Sequence, residues 1–213
     1  LDKYDVEEQN LIKIDLLCNR GLSQLWELDN RPVSEYPIDD KLASEVLCKG
    51  DILGLTQSES PTMRKTVMAL QPKNVYDMAL ALALIRPAAA DGGRKAAYFR
   101  GGGKGKRQII TDEDAIEYIS DSLGCSMDFA DRYRRGWSKQ DPQVINEFMG
   151  RLKRKQGGTE QANILKELKH SPKYSYCRGH ALSYGQLVWA LAYWKARDPQ
   201  RFWKATLKHC HSS

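Results

Sequence analysis

The chain is 213 residues long, 41% hydrophobic and 28% charged, enough for one sizeable core or two small ones, and no apolar run approaches the ~18 residues of a membrane-spanning helix. Its formal net charge of +6 is unevenly placed: residues 1–131 carry 16 Lys and Arg against 22 Asp and Glu, whereas residues 132–213 carry 17 against 5. A basic half of this kind is the electrostatic footprint of a phosphate-backbone binder, although charge alone does not exclude a merely soluble basic surface.

In chain order, the first expected element is a strand. Leu11-Ile-Lys-Ile-Asp-Leu-Leu17 alternates, with Lys13 and Asp15 on one face and Ile12, Ile14 and Leu16 on the other. A carboxylate beside a lysine on a strand is usually a surface pair, and becomes a metal-ligand candidate if the strand lines a cleft. After Gly21 the pattern turns helical, with helices expected at 22–29, 40–48, 59–70, 74–85, 112–123, 128–136, 142–155, 159–169, 180–197 and 199–209. Asp141-Pro142 and Asp198-Pro199 each set an N-cap acid before a proline at the first helical position. Thr111 followed by Asp112-Glu113-Asp114 places a cap and negative charge where a helix dipole favours them. Met78 to Ile85 is too short to span a membrane and reads as a buried helix.

Two segments read as connectors: Arg100 to Arg107, glycine-rich and basic, and Gln156-Gly-Gly158. The first fails as a P-loop, because no Ser or Thr follows a Gly-Lys pair at the required place. A mobile basic loop over about 100–108, with Lys104, Lys106 and Arg107, is expected instead, and its backbone amides can reach phosphates. The five cysteines (18, 48, 125, 177 and 210) are odd in number and lack Cys-x-x-Cys spacing. That favours reduced thiols in a cytosolic protein. His209-Cys210-His211 reads as a frayed tail rather than a metal site. The chain shows no signal-peptide pattern and begins with Leu rather than Met, so a fragment or a processed product is expected.

The chemistry concentrates in three places. Asp112 and Asp114 resemble the paired carboxylates that hold divalent metal in phosphoryl transfer, but their place at a helix start favours capping. In Arg132-Tyr-Arg134-Arg135-Gly-Trp137-Ser-Lys139, a helix brings Arg132, Arg135 and Lys139 to one face and Tyr133 and Trp137 to another. Arginine forks and a lysine point charge suit a triphosphate or a DNA backbone. A second basic cluster, Arg151-Leu-Lys153-Arg154-Lys155, follows. In Tyr174-Ser-Tyr-Cys-Arg-Gly-His180, Arg178 and His180 sit at a helix N-terminus, where backbone N–H groups already favour an anion. A thiol and an imidazole three residues apart rarely meet without a strained turn, which argues against Cys177 as a nucleophile with His180 as its base. Tyr184, Trp189, Tyr193 and Trp194 give the following helix its bulk and are expected in the core.

Taken in order, these stretches resemble the fingers region of bacterial C-family replicative DNA polymerases, the DNA polymerase III alpha subunit. Lys13-Ile-Asp15-Leu-Leu17 is similar to the family's K-F-D-F-L strand. Gly50-Asp51 leading to Gln57-Ser-Glu59-Ser60 and Met63 resembles G-D-T…F-Q-x-E-S-x-G-M. Leu70-Gln-Pro72 and Asp77 to Arg86-Pro87 resemble L-x-P…D-x-x-A-x-x-A-L-x-R-P. Ala130-Asp131 to Lys139 is similar to A-D-x-L-R-R-A-x-G-K-K. Tyr174 to His180 with Tyr184 is similar to G-Y-G-F-N-K-S-H-S-A-A-Y, and Lys195-Ala-Arg-Asp-Pro199 with Phe202 to L-K-A-x-Y-P-x-x-F. The departures are Ala-Ala after Arg86-Pro87 in place of the family's Gly-Pro, a shortened segment before Ile109, Asp112-Glu-Asp-Ala115 in place of Y-Q-E-Q, and Tyr-Cys-Arg-Gly-His in place of F-N-K-S-H. They imply a divergent relative, phage or mobile-element encoded.

The resemblance implies a mainly α fold: residues 1–20 as the edge of a polymerase palm with a short β-strand, and 21–213 as a multi-helix fingers domain. It implies that Arg134, Arg135 and Lys139 face the phosphates of an incoming dNTP, with Arg178 and His180 beside the nascent base pair. Asp15 becomes the third catalytic carboxylate, a ligand in a two-metal Mg²⁺ site. Arg132, Arg151, Lys153, Arg154, Lys155 and the 100–108 loop are then DNA contacts. The expected partners are primer–template DNA, dNTP, a palm upstream or on a separate chain, and a sliding clamp engaged through regions outside this chain. The family's paired palm aspartates have no counterpart here, so the chain alone is expected not to catalyse. Two rivals come from other classes: a non-enzymatic DNA-binding module or relic of the same fold, and a small-molecule nucleotidyltransferase using Asp112 and Asp114.

Overall fold

The computed structural model describes residues 2–12, 14, 18–86, 98–99, 109–168 and 176–209. Among these the chain is helical. In order come α1 (Lys3–Glu8), α2 (Arg20–Leu28), a 3₁₀ turn (Val33–Glu35), α3 (Lys41–Cys48), α4 (Pro61–Leu70), α5 (Val75–Leu84) and α6 (Asp112–Leu123). They are followed by α7 (Met127–Ser138), α8 (Pro142–Lys155), α9 (Gly158–Leu168), α10 (Arg178–Arg197) and α11 (Pro199–Lys208). The helical periods and their caps carry through to the structure from 20 onward. Asp141 accepts hydrogen bonds from the N–H groups of Gln143 and Val144, Asp198 from that of Arg201, and Thr111 with Asp114 forms a reciprocal capping box.

The N-terminal segment differs. The six-residue α1 carries no signal in the sequence strong enough to expect it. Of the expected strand, Leu11, Ile12 and Ile14 lie in no regular element and are exposed. Lys13 and Asp15 to Leu17 fall outside the described residues. Strand geometry among the described residues is reduced to one isolated parallel bridge, Thr111 to Tyr176.

Two cores account for the packing. In the first, α10 is apolar nearly all round, with Val188, Trp189, Leu191 and Ala192 fully buried. It lies against α5, α3 and α2, while α11 covers α2 and α4 covers α5. Tyr184, Tyr193 and Trp194 pack at its edge rather than inside it. The approach of α10 to α5 depends on Gly185, where a Cβ would lie 3.0 Å from the backbone nitrogen of Ala79. Of the run Met78 to Ile85, which its sequence predicts to be buried, all but the half-buried Leu80 and Ile85 lie in this core.

The second core is the bundle α6–α9, built on Ile119, Tyr133, Phe148, Leu152, Ile164 and Leu168. Tyr133 and Trp137 both meet Phe148 edge-on, at 5.7 and 5.4 Å between ring centroids. These are the aromatics that the sequence sets on the face opposite Arg132 and Arg135. Ile109 is buried in the second core and Ile110 in the first. The extended segment before α6 thus ties both cores together, one side chain into each.

Candidate functional site

The seam between the two cores begins at the bridge of Thr111 with Tyr176, where the Asp112 N–H donates to the Tyr176 carbonyl at 3.4 Å. This bridge fixes the start of α10 beside the acidic first turn of α6. Three carboxylates of that turn and the next reach Arg178. Its backbone N–H donates to Glu113 Oε2 at 2.7 Å, and its guanidinium donates to Asp114 Oδ1 at 2.9 Å and Glu117 Oε1 at 3.1 Å. A further acid of the turn, Asp112, takes Arg134 Nη1 from α7 at 3.2 Å. Arg134 also pairs with Asp131 at 2.9 Å, and Arg135 Nε reaches the other oxygen of Asp131 at 2.7 Å.

Arg134 and Arg178, 44 positions apart in the sequence, therefore meet the same short stretch of α6. They do so in different states. The side chain of Arg134 is 17% exposed, whereas those of Arg135 and Arg178 are 68% and 53% exposed. Arg135 and Lys139 stand in solvent at the end of α7, and Lys139 makes no ion pair with any described residue. Of the paired carboxylates, Asp114 takes the capping role its position favours and also meets Arg178, whereas Asp112 meets Arg134.

The opening of α10 holds a surprise of local geometry. Cys177 is its N-cap, extended at φ −68° and ψ 143°, and its sulfur accepts from the His180 N–H at 3.3 Å. That brings Sγ to 3.0 Å from His180 Nδ1. The expectation that thiol and imidazole stay apart is corrected: a capping turn joins them without strain. The His180 ring lies edge-on to Tyr176, 6.0 Å away. With Asn19, Ser183, Tyr184 and Leu187 it lines a recess of about 190 Å³. Arg178 and His180 thus part company: the first turns to α6, the second to this recess.

Two groups of residues escape a reading of local sequence. Arg86 donates to Gln57 Oε1 at 3.1 Å and places its guanidinium 4.1 Å above the ring of Tyr176. Gln57 holds a left-handed backbone at φ 59°. Three residues from separated stretches, Gln57, Arg86 and Tyr176, meet there. Glu147 of α8 is the other case. It accepts from Tyr133 Oη at 2.8 Å and pairs with Arg132 at 2.7 Å and Arg151 at 3.5 Å. The hydrogen bond from Tyr133, with the two arginines beside it, holds the Glu147 carboxyl below its ordinary range. Burial, with the carboxylate of Glu147, pushes the Tyr133 phenol up to about 12. Arg132 and Arg151 are thus members of an α7–α8 tie, and Lys153, Arg154 and Lys155 remain exposed at the end of α8.

The expected metal ligand Asp15 and the basic residues Lys104, Lys106 and Arg107 fall outside the described residues. Among the described residues no three His, Cys, Asp or Glu side chains converge to hold a metal ion. The donors nearest in character, Asp112 and Asp114, are taken by arginines and by the cap, so the described residues do not make an Mg²⁺ site. No helix among them is long and apolar enough to cross a membrane.

Comparison with known proteins places this geometry. Residues 27–158 match the family model of the bacterial DNA polymerase III alpha subunit finger domain. The DNA polymerase III subunit alpha of Thermotoga maritima is 25% identical over 95% of this chain, and the match covers 25% of that protein. Error-prone DNA polymerases of Bordetella parapertussis and Anaeromyxobacter dehalogenans are 24% and 27% identical over 97% and 94% of the chain. The match covers 23% and 21% of those two proteins, so the chain spans about a quarter of the length of such relatives. The family match reaches from the last turn of α2 to the start of α9 and takes in part of each core, and on it the chain belongs to the bacterial DNA polymerase III alpha subunit finger domain family.

Proposed function

We propose that this chain is the fingers portion of a template-directed DNA polymerase, binding the phosphates of an incoming dNTP and the backbone of primer–template DNA. The observation that carries the reading is the meeting of Arg134 and Arg178, from separate helices and separate sequence motifs, at the N-terminus of α6. Arg135 and Lys139 extend that cationic surface along α7. Lys153, Arg154 and Lys155, with Arg132 and Arg151, offer a second stripe for the duplex backbone, and the 100–108 loop adds to it. His180 and its recess lie next to this surface, where a base rather than a phosphate fits.

In this reading a bound Mg²⁺ would supply the charge that activates the primer hydroxyl and steadies the leaving pyrophosphate. Asp15 would be one of its ligands, and carboxylates of a palm outside this chain would supply the others. This chain's own residues neutralise and orient the triphosphate. Alone it binds without catalysing, in the cytoplasm where replication proceeds, with a sliding clamp engaged through other regions.

The test is substitution in the natural gene product that carries these residues. Arg134→Ala with Arg135→Ala should lower nucleotide incorporation by about 100-fold, because charge is lost where the triphosphate binds, while primer–template affinity changes little. The opposite pattern, uniformly weaker duplex binding with unaltered incorporation per bound complex, would support a DNA-binding module that reuses the fold. Asp112→Asn with Asp114→Asn should leave incorporation in place, and its loss would favour a nucleotidyltransferase that uses this pair.

A further inference from the structure

The acidic start of α6 meets several of the groups at the seam that would attract a phosphate. A helix N-terminus draws anions through its unpaired N–H groups and its dipole, yet the first N–H of α10 already donates to Glu113. Arginine forks take phosphate oxygens in pairs, yet Arg178 spreads its two terminal nitrogens over Asp114 and Glu117. Arg134, the less exposed of the two, gives one terminal nitrogen to Asp112 and its other nitrogens to Asp131. A helix amide and the Arg178 guanidinium of α10 are thus met by carboxylates of one helical turn and the next, and the Arg134 guanidinium of α7 is shared between Asp112 of that turn and Asp131 of its own helix. That is the donor set a polyphosphate would use.

We infer that the first two turns of α6 form an internal phosphate mimic, in which carboxylate oxygens of Asp112, Glu113, Asp114 and Glu117 stand in for phosphate oxygens while the site is empty. An entering triphosphate displaces them from Arg178, from the α10 amide and from Arg134, so its apparent affinity is the difference between two sets of charge-assisted contacts. The inference rests on the nucleotide-binding reading above. It adds a consequence opposite to that of an ordinary supporting residue: neutralising these acids tightens anion binding. The device also sets a threshold. A single phosphate group competes poorly with four carboxylates placed in advance, whereas a triphosphate brings its charges as one molecule.

The experiment uses the 213-residue chain and inorganic tripolyphosphate, titrated by calorimetry at low, fixed ionic strength. Glu113→Gln with Glu117→Gln spares both members of the capping box, Thr111 and Asp114, so α6 keeps its start. This variant should bind tripolyphosphate about five- to tenfold more tightly than the parent, as expected when one partly exposed ion pair and one charge-assisted hydrogen bond lose their negative charge. A charge-matched control in the other core, Asp39→Asn with Glu45→Gln, should move affinity by less than about twofold, because screening confines the effect of distant surface charges. Asp112→Asn is a second, independent variant and should act in the same direction. Unchanged or weaker binding in the Glu113/Glu117 variant, or no binding by parent and variant alike, overturns the inference. An equal gain in the control overturns it too, since net charge would then suffice. If Arg134→Ala and Arg178→Ala leave tripolyphosphate binding untouched while the parent binds, the nucleotide-binding reading itself has failed, and that failure is separate from the first.

Discussion

At the scale of single residues, the chain uses its charged groups in two ways that sequence alone does not separate. Some are buried ties. Lys195 is 5% exposed, and its Nζ donates to the Asp51 carbonyl at 3.0 Å, to Asp51 Oδ1 at 2.6 Å and to the Leu53 carbonyl at 2.8 Å. An ammonium with three acceptors is fully satisfied there, and it pins the turn after α3 to α10. Lys195→Met should therefore cost roughly 2–3 kcal/mol of folding stability, because two carbonyls lose their buried donor. Denaturant titration reads this directly, and an unchanged midpoint would contradict it. Tyr133 is a second tie. Its phenol stays protonated up to about 12, against about 10 when unfolded. The neutral form is the one the fold favours, so the stabilisation is fully present below pH 10 and is lost as pH rises from 10 towards 12. The α6–α9 bundle should loosen over that interval, and Tyr133→Phe should remove this part of the alkaline transition. Circular dichroism against pH for the two proteins checks it.

At the scale of elements, the sequence was most legible where structure is local. N-caps at Thr111, Asp141 and Asp198 mark helix starts because a cap acts within three residues. The run from Met78 reads as buried because its apolar content allows no solvent face. The partners of the arginines were not legible: Arg178 to Asp114 and Arg134 to Asp112 cross long stretches of chain, and nothing local announces them. Asp114 completes the capping box that its position favours, but the same carboxylate is also an arginine's counterion. Cys177 was hidden for a related reason, since a cysteine sulfur is an uncommon N-cap and the Ser, Thr, Asp and Asn pattern does not include it. Packing sets the clearest test at this scale. The ideal Cβ of Gly185 would meet the Ala79 backbone at 3.0 Å, and backbone cannot step aside as a flexible side chain does. Gly185→Val should push α10 from α5 and destabilise the first core by about 1–3 kcal/mol. A thermal melt that shows no loss would mean that the two helices separate at little cost.

For the whole molecule, the two cores are joined at a seam that is electrostatic more than apolar. Ile109 and Ile110 anchor it, one into each core, and Thr111 with Tyr176 bridges it. Arg178 with the acids of α6 then closes it from the side of α10. The cationic surface proposed to meet nucleotide and DNA lies along this seam and on α7 and α8. The uneven charge of the sequence pointed to that surface in outline. What it could not give was that the acidic half supplies a counterion turn at its centre. The central claim is that an incoming dNTP lies against α7 and the start of α10. Photo-crosslinking tests it most directly: a dNTP carrying a photoreactive base, bound to the natural gene product on primer–template DNA, is irradiated and the labelled peptides are mapped. The account predicts label within 128–139 and 176–184, and only when the base matches the template. Label confined to other regions of the polypeptide, or label that ignores the template, would contradict it.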